Sequence, residues 1–277
     1  MTMQTGPQNR TQEKGICLLE GSVSVRAAVC GGKRTLYKAM VDRRKKEKRD
    51  RKTLALLSFL KERGIETELA DRAEIEAAVE RYAGANAGHT HGGVIAFASE
   101  RRYESAREML ACAVKGDYFV CLDGVEDPFN LGYAVRTLYA LGCAGILLPA
   151  RDWSGAAGVA ARASAGATEL ARIALLPEDD AETVRLCREA GVDIVCSALS
   201  KTSTALGLFA PRAPFVLFVG GEKRGISPDF MEAAKQVVHI PYVRSKARYS
   251  LPTASVCAMY AHALAPYAAN RDAEGNV

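Results

Sequence analysis

PFVLFVGGEKRGISPDF, residues 214–230, decides the fold. Pro214–Val219 is an apolar run without a polar break, the pattern of a strand buried on both faces rather than one with a wet side. It ends in Gly220-Gly221 and a charged turn, and a helical segment follows at PDFMEAAKQ (228–236). The same rhythm recurs on either side. YFVCLD (118–123), AGILLP (144–149), ELARIALL (169–176), VDIVCSAL (192–199) and VVHIPYV (237–243) are short apolar runs. Between them lie helical candidates at 131–142, 154–166 and 180–191, and TASVCAMYAHAL (253–264) is the last. Near-continuous strands separated by helices predict an α/β unit over 117–268, with a mostly parallel sheet covered on both faces. Gly142 and Gly191 stand where helices should stop.

Upstream, 15–99 has a rhythm of its own. ICLLEG, TLYKAMV, IETELA and GVIAFAS read as strands. SVSVRAAVCGG, KTLALLSFLKERG and AEIEAAVERYAG read as helices, the second with an apolar stripe of Leu54, Leu57 and Leu60 and a stop at Gly64. This is a small α/β sandwich. Residues 100–116 read as a partly helical connector. The polar stretch 1–14 and the tail 269–277 are expected to be disordered or frayed.

Two domains suit 277 residues. No apolar run reaches membrane-span length and the first residues lack a signal-peptide core, so a cytoplasmic protein without a membrane partner is expected. The eight cysteines show no CxxC spacing and no metal site is expected. HTH (89–91) lacks a third ligand, and the lone Trp153 reads as packing in a loop. The net charge of +5 is modest but concentrated in DRRKKEKRDRK (42–52). Arg43, Arg44, Lys45 and Lys46 form either a phosphate-binding surface or a solvated helix face.

Three segments carry chemistry. In LDGVEDPFNLGYAVRTLYALG (122–142), Asn130 and Arg136 either reach one cleft, if Asn130 is still in the loop, or are an N-cap and a surface cation. In the opening segment, Gly220-Gly221-Glu222 follows a buried strand, the usual ligand position of an α/β sheet. Its other reading is a turn capping the next helix. In HIPYVRSKARYSLPTASV (239–256), Arg244, Lys246 and Arg248 lie in a loop before a helix, where an anion would be favoured. A solvated loop is the alternative. Neither GxGxxG nor a P-loop is present.

In this order and spacing the three segments resemble the signature motifs of the SpoU (TrmH) RNA 2′-O-methyltransferases of the SPOUT superfamily. The resemblance rests on Asn130-Leu131-Gly132 with Arg136-Thr137, on Gly220, Glu222 and Gly225, and on Ile240-Pro241 with Ser250-Leu251. ASAGATE (163–169) is similar to a further family segment, and 15–99 resembles the RNA-binding sandwich that often precedes the catalytic domain. The resemblance implies a trefoil knot in the second domain and a homodimer with its site at the subunit interface. It implies S-adenosylmethionine held by Gly220, Gly221, Ile240 and Leu251, and catalysis through Asn130, Arg136, Glu222 and Ser250. Arg43, Arg44, Lys45, Lys46, Arg244, Lys246 and Arg248 would hold the RNA, ribosomal ahead of transfer RNA. The family's Ser-Leu-Asn is Ser250-Leu251-Pro252 here, so any contact made by the asparagine amide is absent. Pro252 could begin the last helix. It also keeps open a non-catalytic RNA-binding protein as the alternative.

Overall fold

The computed structural model describes residues 15–83, 91–221, 223–243 and 251–274. It divides into two compact units, one within Met1–Arg101 and Trp153–Val159, the other within Arg102–Asp152 and Ala160–Val277.

The first unit contains β1 (Ile16–Glu20), α1 (Ser22–Gly31), β2 (Leu36–Asp42), α2 (Arg43–Glu47), α3 (Arg51–Glu62), β3 (Thr67–Ala70), α4 (Arg72–Ala83) and β4 (Val94–Ser99). The strands form a mixed sheet in the order β1-β4-β2-β3, in which only β2 and β3 pair in parallel. Leu18, Met40 and Ile95 pack against Ile75 and Val79 of α4. The helix α1 stops at Gly32, which takes the left-handed conformation (φ 60°) and returns its N–H to Ala28. In α3 the buried residues are Thr53, Leu56 and Leu60, whereas Leu54 is 40 % exposed. The expected stripe of Leu54, Leu57 and Leu60 is therefore offset. Thr53, capped with its backbone N–H on Asp50 Oδ2 (2.8 Å), sets the inward face.

The second unit contains β5 (Glu104–Ser105), α5 (Ala106–Ala111), β6 (Tyr118–Asp123), α6 (Pro128–Ala140), β7 (Gly145–Leu148), the end of α7 (Ala157–Ala163, whose first three residues belong to the first unit), α8 (Ala167–Leu170), β8 (Ile173–Leu175) and α9 (Asp180–Glu189). It continues with β9 (Asp193–Ser197), β10 (Thr204–Ala205), β11 (Phe215–Gly220), α10 (Pro228–Ala233), β12 (Gln236–His239) and α11 (Thr253–Glu274). The sheet order is β10-β12-β9-β11-β6-β7-β8-β5, and every pair is parallel. Helices cover both faces, as a parallel sheet requires. Phe119, Cys121, Val216 and Phe218 meet α5, α9 and α10 through Met109, Leu186 and Phe230. α6 and α11 pack on each other, and α11 on β11. All eight cysteines are free thiols. Burial pushes Cys187 and Cys196 up to about 12, so they act as small hydrophobes.

Several sequence expectations change. The stretch 100–116 is not a plain connector, because β5 joins the sheet edge and Met109 and Leu110 enter the core. ELARIALL is the helix α8 followed by a strand of only Ile173–Leu175. The last helix runs through Pro266 to Glu274, so 269–274 is helical. Gly142 (φ 83°) and Gly191 (φ 66°) do stop their helices. Trp153 is buried. His91 is buried and its Nδ1 accepts from Gly93 N (3.0 Å); His89 lies outside the described residues. No helix among the described residues is long and apolar enough to cross a membrane.

Candidate functional site

The central strands β6 and β11 run side by side in register from Tyr118–Phe215 to Asp123–Gly220. After β6 the chain builds β7 and β8 on one flank, while β9, β12 and β10 lie beyond β11 on the other. Strand order reverses at this pair, and a crevice opens outside its carboxyl ends. There the sequence turns from apolar to Asp123-Gly124 and Gly220-Gly221.

Asp123 ties the two strand ends together. Its carbonyl accepts from Gly221 N (2.5 Å), and its carboxylate Oδ2 accepts from Ser227 N (2.9 Å). Burial raises the Asp123 carboxyl above its usual range, and the Ser227 N–H opposes that. Gly225 N donates to Gly221 O (3.2 Å), folding the loop back on itself. A Cβ on Gly220 would lie 2.6 Å from Gly225 C and 2.8 Å from Ile226 N. Glycine is thus required at 220 by the loop's own closure. At Gly132, close packing is the reason: a Cβ there would lie 2.6 Å from the Ala163 Cβ and 2.8 Å from Ala160 O.

Two cavities adjoin the crevice. The larger, about 470 Å³, is lined by all four nominated cofactor residues, Gly220, Gly221, Ile240 and Leu251. Leu199 and Tyr242 add apolar wall, and Arg224 and His239 are its basic side chains. The smaller, about 300 Å³, is lined by Gly124, Glu126, Asp127, Asn130, Lys223 and Thr253. Thr253 lines both cavities, and its hydroxyl donates to Gly220 O (3.5 Å). The rim of the smaller cavity carries the Lys223–Glu126 ion pair (2.6 Å), which holds the Glu126 carboxyl below the usual range. Apolar walls with backbone polar groups suit a nucleoside-type ligand in the larger space.

Asn130 is neither in a loop nor an N-cap. Asp127 caps α6, accepting from Asn130 N (2.8 Å), with Pro128 at the first turn. Asn130 therefore stands in the first turn of α6. Arg136 is six residues on, about 120° away around the helix. It is exposed and lines neither cavity. Within one chain the structure does not bring the two together. Pro252 is one residue outside the last helix, because its carbonyl accepts from Ser255 N (2.8 Å) and Val256 N (3.1 Å). Glu222, Arg244, Lys246, Arg248 and Ser250 lie outside the described residues. In α2, Arg43 Nη2 donates to Leu69 O (3.1 Å) and Lys45 Nζ to Gly92 O (2.6 Å). Arg44 and Lys46 are exposed. Sequence reasoning missed Asp123 and Thr253. The only signal was a polar residue at each junction of an apolar element with a loop.

Fold and crevice together define an α/β protein that takes a nucleoside-sized ligand at the carboxyl edge of a parallel sheet. The family model described as the SpoU rRNA Methylase family matches residues 117–260, and the chain belongs to that family. It is similar to the 23S rRNA (guanosine-2'-O-)-methyltransferase RlmB of Burkholderia sp, 30 % identical over 152 residues. That match spans 54 % of this chain and 61 % of the relative's length. The Photorhabdus laumondii protein of the same name is 29 % identical over 219 residues, covering 76 % of this chain and 84 % of its own. The AdoMet-bound rRNA methyltransferase from Sinorhizobium meliloti shares the fold, with TM-score 0.70 and 24 % identity over 92 % of this chain and 88 % of that one.

Proposed function

We propose that the protein transfers a methyl group from S-adenosylmethionine to a ribose 2′-hydroxyl of ribosomal RNA, as a cytoplasmic homodimer. One observation carries this reading: Gly220, Gly221, Ile240 and Leu251 share a cavity that touches the Asn130 cavity through Thr253. The cofactor would occupy the larger space, where it supplies an electrophilic methyl on a sulfonium. The ribose would enter the smaller one. Residues that fix both partners in line account for much of such a rate.

The hydroxyl must lose its proton as it attacks. Arginine is a poor base, since its pKa lies above about 12. Arg136 instead holds an RNA phosphate or stabilises the developing alkoxide with a permanently charged fork. Asn130 and Glu222 would position that fork or the ribose, and Ser250 would complete the hydrogen bonds. Arg136 shares the outer face of α6 with Phe129 and Tyr133, which are 44 % and 49 % exposed. That aromatic face supports a dimer in which Arg136 serves the partner's crevice. A trefoil knot at the C-terminal end of the sheet is what the family resemblance implies; residues 244–250 lie outside the described residues. Pro252 leaves the start of α11 intact and Leu251 on the cavity wall, which supports catalysis over mere RNA binding.

Ribosomal RNA ahead of transfer RNA is supported by the similarity to 23S rRNA (guanosine-2'-O-)-methyltransferases. Ribose methylation mapped in RNA from cells with and without the gene tests the reading. Loss of a 2′-O-methyl at a ribosomal nucleotide is expected. Identical maps would overturn it.

A further inference from the structure

A cationic stack lies on the first unit, formed by residues of α1 and α3 rather than of α2. The Arg26 guanidinium carbon sits 4.5 Å from the Phe59 ring centroid and that of Arg63 3.8 Å from the same centroid. Arg26 comes from α1, Phe59 from α3, and Arg63 is the C-cap of α3. The helices α1 and α3 pack together, so the stack joins two rigid elements. Neither guanidinium makes a hydrogen bond or ion pair with another described residue. The Glu62 carboxylate accepts at Oε1 from Ser58 Oγ (3.0 Å).

We infer that Arg26, Phe59 and Arg63 form a clamp for the phosphodiester backbone of the substrate RNA. The inference rests on the proposed RNA substrate and adds a contact surface to it. A guanidinium stacked on an aromatic ring keeps its N–H donors free at the edge while its planar face is held. Little side-chain entropy then remains to be lost when an oxygen anion accepts from that edge. Two like charges on one ring repel, and the two carbons are at most about 8.3 Å apart. An anion reaching both relieves that repulsion, and bidentate N–H···O bonding to phosphate oxygens is what arginine forks suit. Lys52, seven residues before Phe59, lies on the same stripe of α3 and is exposed, extending the positive track along the helix. By contrast, Arg43 and Lys45 spend donors on carbonyls of their own unit.

The test uses the full chain and deproteinised 23S ribosomal RNA as probe. Binding is titrated across salt concentrations for wild type, Arg26→Gln/Arg63→Gln and Phe59→Leu. The double variant should bind at least about fivefold more weakly, with a slope of log affinity against log salt lower by roughly 1.5 for two lost phosphate contacts. Phe59→Leu keeps both charges; its affinity should fall through lost pre-organisation while the slope changes less. S-adenosylmethionine affinity and melting temperature should match wild type in the double variant. If wild type binds RNA but the double variant keeps its affinity and slope, the clamp is overturned and the RNA reading stands. If wild type shows no salt-dependent RNA binding, both fall. An equal loss for an acidic protein bound in place of RNA would also overturn it.

Discussion

The two sheets present their chemistry in opposite ways. In the second unit every strand pair is parallel, so all carboxyl ends meet one edge and the loops after β6 and β11 converge there. A crevice is a consequence of that direction, and backbone groups line much of it. In the first unit the sheet is mixed, with β4 antiparallel to both neighbours. No single edge collects its loops, and the cations stand on helices α1, α2 and α3. Strand direction thus separates a unit whose loops line cavities at one sheet edge from one whose cations stand on helices.

The largest effect should come from Arg136→Ala. Single-turnover methyl transfer at saturating RNA should fall at least about a hundredfold, as when a transition-state contact is removed. Cofactor affinity should stay unchanged, since Arg136 does not line the larger cavity. If the sites are shared between subunits, mixing Arg136→Ala chains with Gly220→Ala chains should restore part of the activity. A rate near wild type for Arg136→Ala alone would reduce Arg136 to a surface cation.

Gly220→Ala should come next. Its Cβ meets the backbone at Gly225 and Ile226, which a side-chain rotation cannot relieve. Overpacking of about 1–3 kcal/mol would displace the loop. S-adenosylmethionine affinity by calorimetry should fall by roughly tenfold or more, while RNA affinity hardly moves.

The basic helix should divide. Arg44→Ser/Lys46→Ser should weaken RNA binding and flatten its salt dependence. Arg43→Ser/Lys45→Ser should chiefly lower the melting temperature, because those side chains hold Leu69 and Gly92 carbonyls. Equal RNA losses in both pairs would erase that division.

The smallest effect concerns pH. Burial raises the Asp123 pKa in the folded state. Its contribution to stability is therefore complete below the unfolded carboxyl value, about 3.9, and is lost as pH rises through the folded value. Asp123→Asn keeps an oxygen for Ser227 N and removes that titration. The difference in melting temperature between wild type and Asp123→Asn should shift in favour of the variant as pH rises through the acid range. A difference independent of pH would contradict the burial argument.

Much of this fold was legible because buried parallel strands are continuous apolar runs; Pro214–Val219 and YFVCLD are the central pair. The glycine loop was legible as a place, and its four nominated cavity residues do meet. Composition alone misled where helix and strand share apolar residues, as in ELARIALL. Pro266 made the end of α11 illegible, since proline usually stops a helix but is accommodated here. The pairing of Asn130 with Arg136 was illegible because it depends on where α6 begins. Asp127 and Pro128 start the helix early enough to turn the two apart. Thr253 signalled only a polar residue at the start of a helix, because joining two cavities is a property of the tertiary fold.

The most direct measurement is methyl transfer by the purified protein. Labelled S-adenosylmethionine and 23S ribosomal RNA from cells lacking the gene are incubated with the full chain, and the RNA is then digested with alkali. A methylated 2′-oxygen blocks cleavage at its own linkage. Label is expected in an alkali-resistant dinucleotide, absent with Arg136→Ala. Label in a base, or no transfer at saturating cofactor and RNA, would contradict it.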